Sequence, residues 1–181
     1  MENIRIHQIG INEIEKLQAI GRQTFAETFA SSNRPENMAK YLEEAYTYEK
    51  LSAEINDSNS LFYFATSDNE VIGYLKLNFG AAQTELKDGQ ALEIERIYVK
   101  KAFHGKKVGQ LLYDKAIEIA NEKNVDYVWL GVWEENHRAI QFYTKNGFVA
   151  FDQHIFVLGD DAQTDIMMKL DIKNNTNERS S

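Results

Sequence analysis

The sequence predicts a mixed α/β fold, a sheet with helices on its faces, on three observations. Apolar spacing switches repeatedly between a helical period and a strand period along the chain. Apolar residues make up 43% of the 181 and aromatics 12%, too much for a disordered chain and enough to build a core. No Pro-, Gly- or Ser-rich stretch divides the chain, and Pro35 is its single proline. Residues 1–172 therefore read as one domain, and the polar run 173–181 (KNNTNERSS) as a loose tail.

The elements follow in order. Ile4 and Ile6 open a short strand. From Asn12 the spacing turns helical through Ile14, Leu17, Ile20, Phe25 and Phe29, and Ser31-Ser32-Asn33 breaks it. Pro35 suits the first turn of a new helix striped by Met38, Tyr41, Leu42 and Ala45. Leu51 and Ile55 mark a further short helix. LFYFAT (61–66) and VIGYLKLNFG (71–80) are β-branched and aromatic runs, with a hairpin turn at Asp68-Asn69-Glu70. LEIERIYV (92–99) alternates: Leu92, Ile94, Arg96 and Tyr98 point one way, Glu93, Glu95, Ile97 and Val99 the other. Val108, Leu111, Leu112, Ile119 and Ala120 share one helix face. VDYVWLGVW (125–133) is apolar enough for a buried strand. Asn136 starts a short helix carrying Ala139, Ile140, Phe142 and Tyr143, and Gly147 ends it. Strands near 148–157 and 164–171 close the order.

Composition excludes several chemistries. The chain has no cysteine, so disulfides, thiolate zinc sites and a cysteine nucleophile are ruled out. No apolar run approaches the roughly 20 residues of a membrane helix. The start, MENIRIHQIG, lacks the pattern of a signal peptide, so a cytoplasmic location is expected. The net charge of −8 repels nucleic-acid phosphates and favours cationic partners. His7, His104, His137 and His154 show no metal-ligand spacing, and no metal is expected. His154 lies on a late strand near a plausible acceptor path, where a packed or surface role outweighs one in proton transfer.

Two segments carry chemistry. The turn after residue 99 runs KKAFHGKKVG (100–109) into a helix. Small and basic residues there let backbone N–H groups and a helix N-terminus converge on an anion such as a pyrophosphate. A solvated basic turn accounts for the same residues. The segment is neither a P-loop nor the three-glycine dinucleotide fingerprint. The second segment is NHRAIQFYTKNGF (136–148), in which Ala139 and Tyr143 share a helix face.

Together these segments resemble the Gcn5-related N-acetyltransferase (GNAT) superfamily. Its cofactor loop runs Arg or Gln, two residues, Gly, one residue, Gly or Ala. Here His104, Gly105, Lys106, Lys107, Val108 and Gly109 occupy it, with His104 and Lys107 departing from the pattern. Asn136, Ala139, Tyr143, Gly147 and Phe148 match the family's other hallmark at its spacing. The resemblance implies a mixed, mostly antiparallel sheet with helices on both faces, in the order β-α-α-β-β-β-α-β-α-β-β, and acetyl-CoA as cosubstrate. It implies that Ile97, Tyr98 and Val99 pair by backbone with the pantetheine arm. Residues 104–109 would hold the pyrophosphate, Asn136 the pantetheine, and Tyr143 would protonate the departing thiolate. Lys107 would then need a backbone shape that glycine reaches more easily.

Two carboxylates close together raise one another's pKa, and Glu93 and Glu95 are two apart on one strand. Glu95 lies where many family members place a base, acting directly or through water. An exposed strand face or a salt bridge to lysine is the plain alternative. Acceptor choice in the superfamily is expected from residues 22–36 (Glu27, Arg34, Glu36) and 157–164 (Asp160, Asp161). FAETFASSNRPENMAKYLEE (25–44) and HIFVLGDDAQTDIMMK (154–169) resemble the bacterial PaiA-type spermidine/spermine acetyltransferases. A small cationic amine, with no nucleic-acid or membrane partner, is the implied acceptor, and a homodimer is expected by analogy alone. The rivals are another amine acceptor (a protein or an antibiotic), a non-catalytic CoA-binding sensor, and a nucleotide-binding protein. The last leaves residues 136–148 unexplained.

Overall fold

The computed structural model describes residues 3–172, and the polar run 173–181 lies outside them. The strands are β1 (Ile4–Gln8), β2 (Ser60–Ser67), β3 (Glu70–Phe79), β4 (Ala91–Val99), β5 (Tyr127–Trp133), β6 (Val149–Leu158) and β7 (Asp161–Asp171). They form one seven-stranded sheet in the order β1-β2-β3-β4-β5-β7-β6. Every neighbouring pair is antiparallel except β4 and β5. A parallel pair needs a crossover, and α4 (Val108–Glu122) supplies it. The parallel pairing covers only Ala91–Glu93 against Tyr127–Trp129. Beyond Glu93 the two strands part, and the sheet opens.

Three α-helices follow β1, where the expected order had two: α1 (Ile14–Phe29), α2 (Pro35–Ala45) and α3 (Tyr48–Ile55). Thr47 caps α3 by accepting from Lys50 N–H, and Leu51 anchors it in the core. These helices cover one face of the sheet around Leu17, Ile20, Phe25, Phe62, Phe64 and Tyr74. On the opposite face α4 and α5 (His137–Lys145) pack over Leu75, Leu77, Leu112, Val128 and Leu130. No helix among the described residues is long and apolar enough to cross a membrane.

Two details depart from the sequence reading. The inner face of α4 is Val108, Leu112, Tyr113, Ala116, Ile119 and Ala120, and Leu111 is 39% exposed. At about 100° per residue, Leu111 falls well off a face centred on Ala116.

The alternation expected along β4 fails at Glu95. Lys76 pairs with Arg96 but Leu77 pairs with Ile94, so Glu95 has no residue opposite it. This β-bulge reverses the phase of the strand. Leu92 and Ile94 therefore share the α4 face with Ile97 and Val99, while Tyr98 packs with the α1 core. The hairpin between β2 and β3 turns through Asp68 and Asn69, both with positive φ (50° and 69°), as a two-residue turn of this twist needs.

Candidate active site

The Asn136–Phe148 segment is a short helix with both ends closed. Asn136 is the N-cap, its Oδ1 accepting from Ala139 N–H at 3.3 Å. At the other end Phe148 N–H donates to Tyr143 O and Gly147 N–H to Thr144 O, both at 3.0 Å. That is the Schellman closure, and Gly147 takes the left-handed φ of +98° it requires. The Phe148 ring lies 5.6 Å from that of Tyr143, which is the apolar contact such a closure favours. The spacing of the motif is thus the spacing of two caps, and the caps fix Tyr143 on the inner face of α5.

Where β4 and β5 part, a cavity of about 310 Å³ passes through the sheet. Asn136, Ala139 and Tyr143 line it from the α5 side. Glu93, Glu95, Arg96, Tyr98, His154, Phe156 and Asp165 line it from the α1 side. The strand register brings the latter together. Trp133 and His154 are each paired with Asp165, and Phe156 with Gln163, so they share a face. Phe29, Tyr41, Trp133 and Phe156 form an aromatic wall, with Phe29 and Trp133 ring centres 5.2 Å apart.

The carboxylates on that side are held by a buried ionic network. Glu95 Oε1 accepts from Lys76 Nζ and Asn78 Nδ2, both at 2.8 Å, and its Oε2 lies 3.0 Å from Arg96. Lys76 is 4% exposed and also contacts Glu54 of α3 at 3.2 Å. Arg96 donates to both oxygens of Glu54. Asn78 also donates to Glu93 at 2.9 Å. Glu93 further accepts from the N–H and hydroxyl of Thr84. The two glutamates do share a face, as expected, but their pKa values move apart. Burial pushes Glu95 up, yet the charges of Arg96 and Lys76 and the bonds from Lys76 and Asn78 outweigh it and hold the carboxyl below its ordinary value. For Glu93 burial wins over its hydrogen bonds and the carboxyl is raised. Tyr143 is 5% exposed, and burial pushes its phenol well up, so it keeps its proton at neutral pH.

The turn 104–109 has left-handed backbone at two positions. Lys107 is the N-cap of α4 with φ 65°, and Gly105 has φ +83°. The first N–H groups of α4, at Val108 and Gly109, point out of the helix end by helix geometry. The Val108 side chain is buried in the core, so it can serve an anion through backbone alone. His104 turns its ring back on the strand. Its Nε2 lies 2.9 Å from Val99 O, which can only accept, so Nε2 carries the proton. Its backbone N–H donates to Lys101 O. Ile97, Tyr98 and Val99 lie beyond the last β4–β5 pair, on the strand edge that borders the opening.

The segments expected to choose the acceptor are bonded to each other. Asn33 bonds Gln163 at 2.7 Å, Asn37 bonds Asp160 at 2.9 Å, and Arg34 lies 3.6 Å from Asp160. Glu27 accepts from Lys101 N–H. Sequence reasoning missed Glu54, Lys76, Asn78, Thr84, Glu85, Gly131 and Asp165. One signal was available: Lys76 and Asn78 stand two apart in an apolar strand, so both face one side.

Known proteins share this arrangement. The model of the acetyltransferase (GNAT) family matches residues 23–148. An uncharacterized N-acetyltransferase of Lactobacillus delbrueckii subsp. lactis is 45% identical over 93% of this chain and 98% of its own. A spermidine N(1)-acetyltransferase of Thermoplasma acidophilum is 31% identical over 83% of this chain and 91% of its own. The crystal structure of the PaiA N-acetyltransferase from Thermoplasma acidophilum in complex with coenzyme A superposes with a TM-score of 0.78. It is 28% identical and covers 94% of this chain and 99% of that one. With the hallmark helix, the parted strands and the matching family model all in one place, this chain belongs to the GNAT family of acetyltransferases.

Proposed function

We propose that the protein is a cytoplasmic enzyme that moves the acetyl group of acetyl-CoA to a primary amine of a small polyamine, spermidine or spermine first. The observation that supports this is a cavity whose lining includes both Tyr143 and Glu95.

The β4 edge at Ile97–Val99, bordered by no strand beyond the last β4–β5 pair, suits the amides of a pantetheine arm. The turn 104–109 and the α4 N-terminus suit its pyrophosphate. The acceptor amine arrives as an ammonium and must lose a proton before it attacks. Glu95 remains anionic because Arg96 and Lys76 hold it so. It draws the ammonium and, directly or through a water, takes its proton and later releases it to solvent. The free nitrogen then attacks the thioester carbon, a C–N bond forms, the C–S bond breaks, and the nitrogen, positively charged after attack, releases its second proton to solvent. Tyr143 gives its proton to the departing sulfur and regains one from solvent. A thiolate forming in a dry cavity is costly, so a phenol beside it lowers the barrier. The acidic cavity wall and the relative named as a spermidine acetyltransferase support a polyamine acceptor.

The test is free-thiol release from acetyl-CoA with a panel of amines. Release with spermidine or spermine above other amines is the expected result. No release with any amine, alongside measurable CoA binding, points instead to a CoA-binding sensor.

A further inference from the structure

Three carboxylates line the cavity, and they differ in what their oxygens already hold. Glu93 accepts from Thr84 N–H, Thr84 hydroxyl and Asn78. Glu95 accepts from Lys76 and Asn78 and meets Arg96. With three of about four lone-pair sites taken, each has about one left, enough for a single N–H or water but not for the several donors of a resting ammonium.

The Asp165 carboxylate accepts no hydrogen bond among the described residues. Asp165 meets His154 Nε2 at 3.5 Å, beyond a good hydrogen bond. Its side chain is 18% exposed, so it is half-dry and yet reachable from the cavity. Burial pushes its carboxyl up, and His154 only partly opposes this.

Asp165 and His154 sit over Gly131, whose missing Cβ would lie 3.7 Å from Asp165 Oδ2 and 3.4 Å from His154 Cε1. His154 cannot satisfy the wall alone. Its Nδ1 is buried without a hydrogen bond and 3.4 Å from Glu85 Oε2, so one imidazole faces two carboxylates. A half-buried carboxylate short of donors is costly, and a ligand that brings donors offsets the cost. An ammonium brings three.

We infer that Asp165 is a specificity-determining residue that receives the second, non-reacting ammonium of a diamine or polyamine acceptor. This rests on the acetyltransferase reading above. Glu95 serves the nitrogen that reacts; Asp165 serves the one that does not. A monoamine of equal length leaves Asp165 unpaired and gains nothing from it.

The test compares kcat/KM for 1,4-diaminobutane and for butylamine in the wild type, Asp165→Asn and Asp165→Glu. The wild type is expected to prefer the diamine. A hydrogen bond to a charged group is worth roughly 1.5–3 kcal/mol. Asp165→Asn should therefore lower kcat/KM for the diamine about 10- to 100-fold, mainly through KM, and for butylamine less than about twofold. Asp165→Glu should restore part of the diamine preference.

Equal losses on both amines, or no loss on either, overturn the inference. So does a wild type that acetylates both amines equally well, although the acetyltransferase reading would survive that result. If no amine is acetylated, that reading fails. Calorimetric binding of 1,4-diaminobutane then decides, since binding lost in Asp165→Asn supports the inference and absent binding overturns it.

The variant should fold. A raised carboxyl contributes stability below its ordinary value, near 3.8, that is lost as pH rises through the folded value. Removing it therefore raises the melting temperature at pH 7 and not at pH 3.

Discussion

On the α5 face of the sheet, the helix residues that line the cavity, Asn136, Ala139 and Tyr143, all come from one short stretch of chain. On the α1 face, its walls and supports come from α3, β3, the loop at Thr84 and Glu85, β4, β5, β6 and β7. The first wall is local. Two caps and a helical period position Tyr143, and each cap needs residues only a few places away. The second wall is long-range. Glu95 depends on a bulge and on Lys76, 19 residues earlier. A wall of the first kind tolerates change elsewhere in the fold. One of the second kind carries the register of the sheet in its chemistry.

The largest effect should come from the local wall. Tyr143→Phe keeps the ring that packs against Phe142 and Phe148 and removes only the hydroxyl. Turnover should fall about 10²- to 10⁴-fold, the usual range for acid catalysis. CoA affinity, measured by calorimetry, should change less than about twofold. Unchanged turnover would remove Tyr143 from the mechanism and leave the α5 wall as packing alone.

The long-range wall should answer to pH. Lys76→Met removes a charge and a hydrogen bond that hold the Glu95 carboxyl down. Burial then raises it, so Glu95 takes up a proton at a higher pH and the acid limb of kcat/KM moves upward. The loss should reach about tenfold on that limb, the effect of one pH unit on an ionisation. Stability follows the same sign. A depressed carboxyl contributes stability above its ordinary value of 4.5 that is lost as pH falls through the folded value. Lys76→Met should shrink that contribution, and breaking a buried pair costs about 3–5 kcal/mol besides. Lys76→Arg keeps the charge and should return the limb toward the wild type. An unmoved acid limb in Lys76→Met would mean that Glu95 does not set it.

The same contrast explains what the sequence could disclose. Element order was legible because periods of 3.6 and 2 are local properties. The hallmark helix was legible because caps are too, and Lys107, standing where the family pattern has glycine, has a φ of 65°. The third helix, Tyr48–Ile55, was legible only from Leu51 and Ile55, and the family order of two helices omits it. The phase of β4 was lost because a bulge is set by the partner strand, not by the residues that form it. Asp165 and Gly131 gave no local sign at all. They meet only through the pairing of β5, β6 and β7.

The smallest effect asks whether the local wall has a second duty. Asn136 caps α5 through Oδ1 and also lines the cavity. Its Nδ2 is the atom free to donate to a pantetheine carbonyl. Asn136→Ala removes both roles and should cost about 1 kcal/mol, a fall of roughly 2–4 °C in Tm. Asn136→Asp separates them. Aspartate caps as well as asparagine and suits the positive end of the helix, so Tm should hold or rise. It has no amide N–H, so KM for acetyl-CoA should rise about threefold to tenfold if Nδ2 donates, the worth of one neutral hydrogen bond. An unchanged KM in Asn136→Asp would leave Asn136 a cap only. Residues 136–148 would then place Tyr143 without touching the pantetheine arm, and the strand edge at Ile97–Val99 would hold that arm alone.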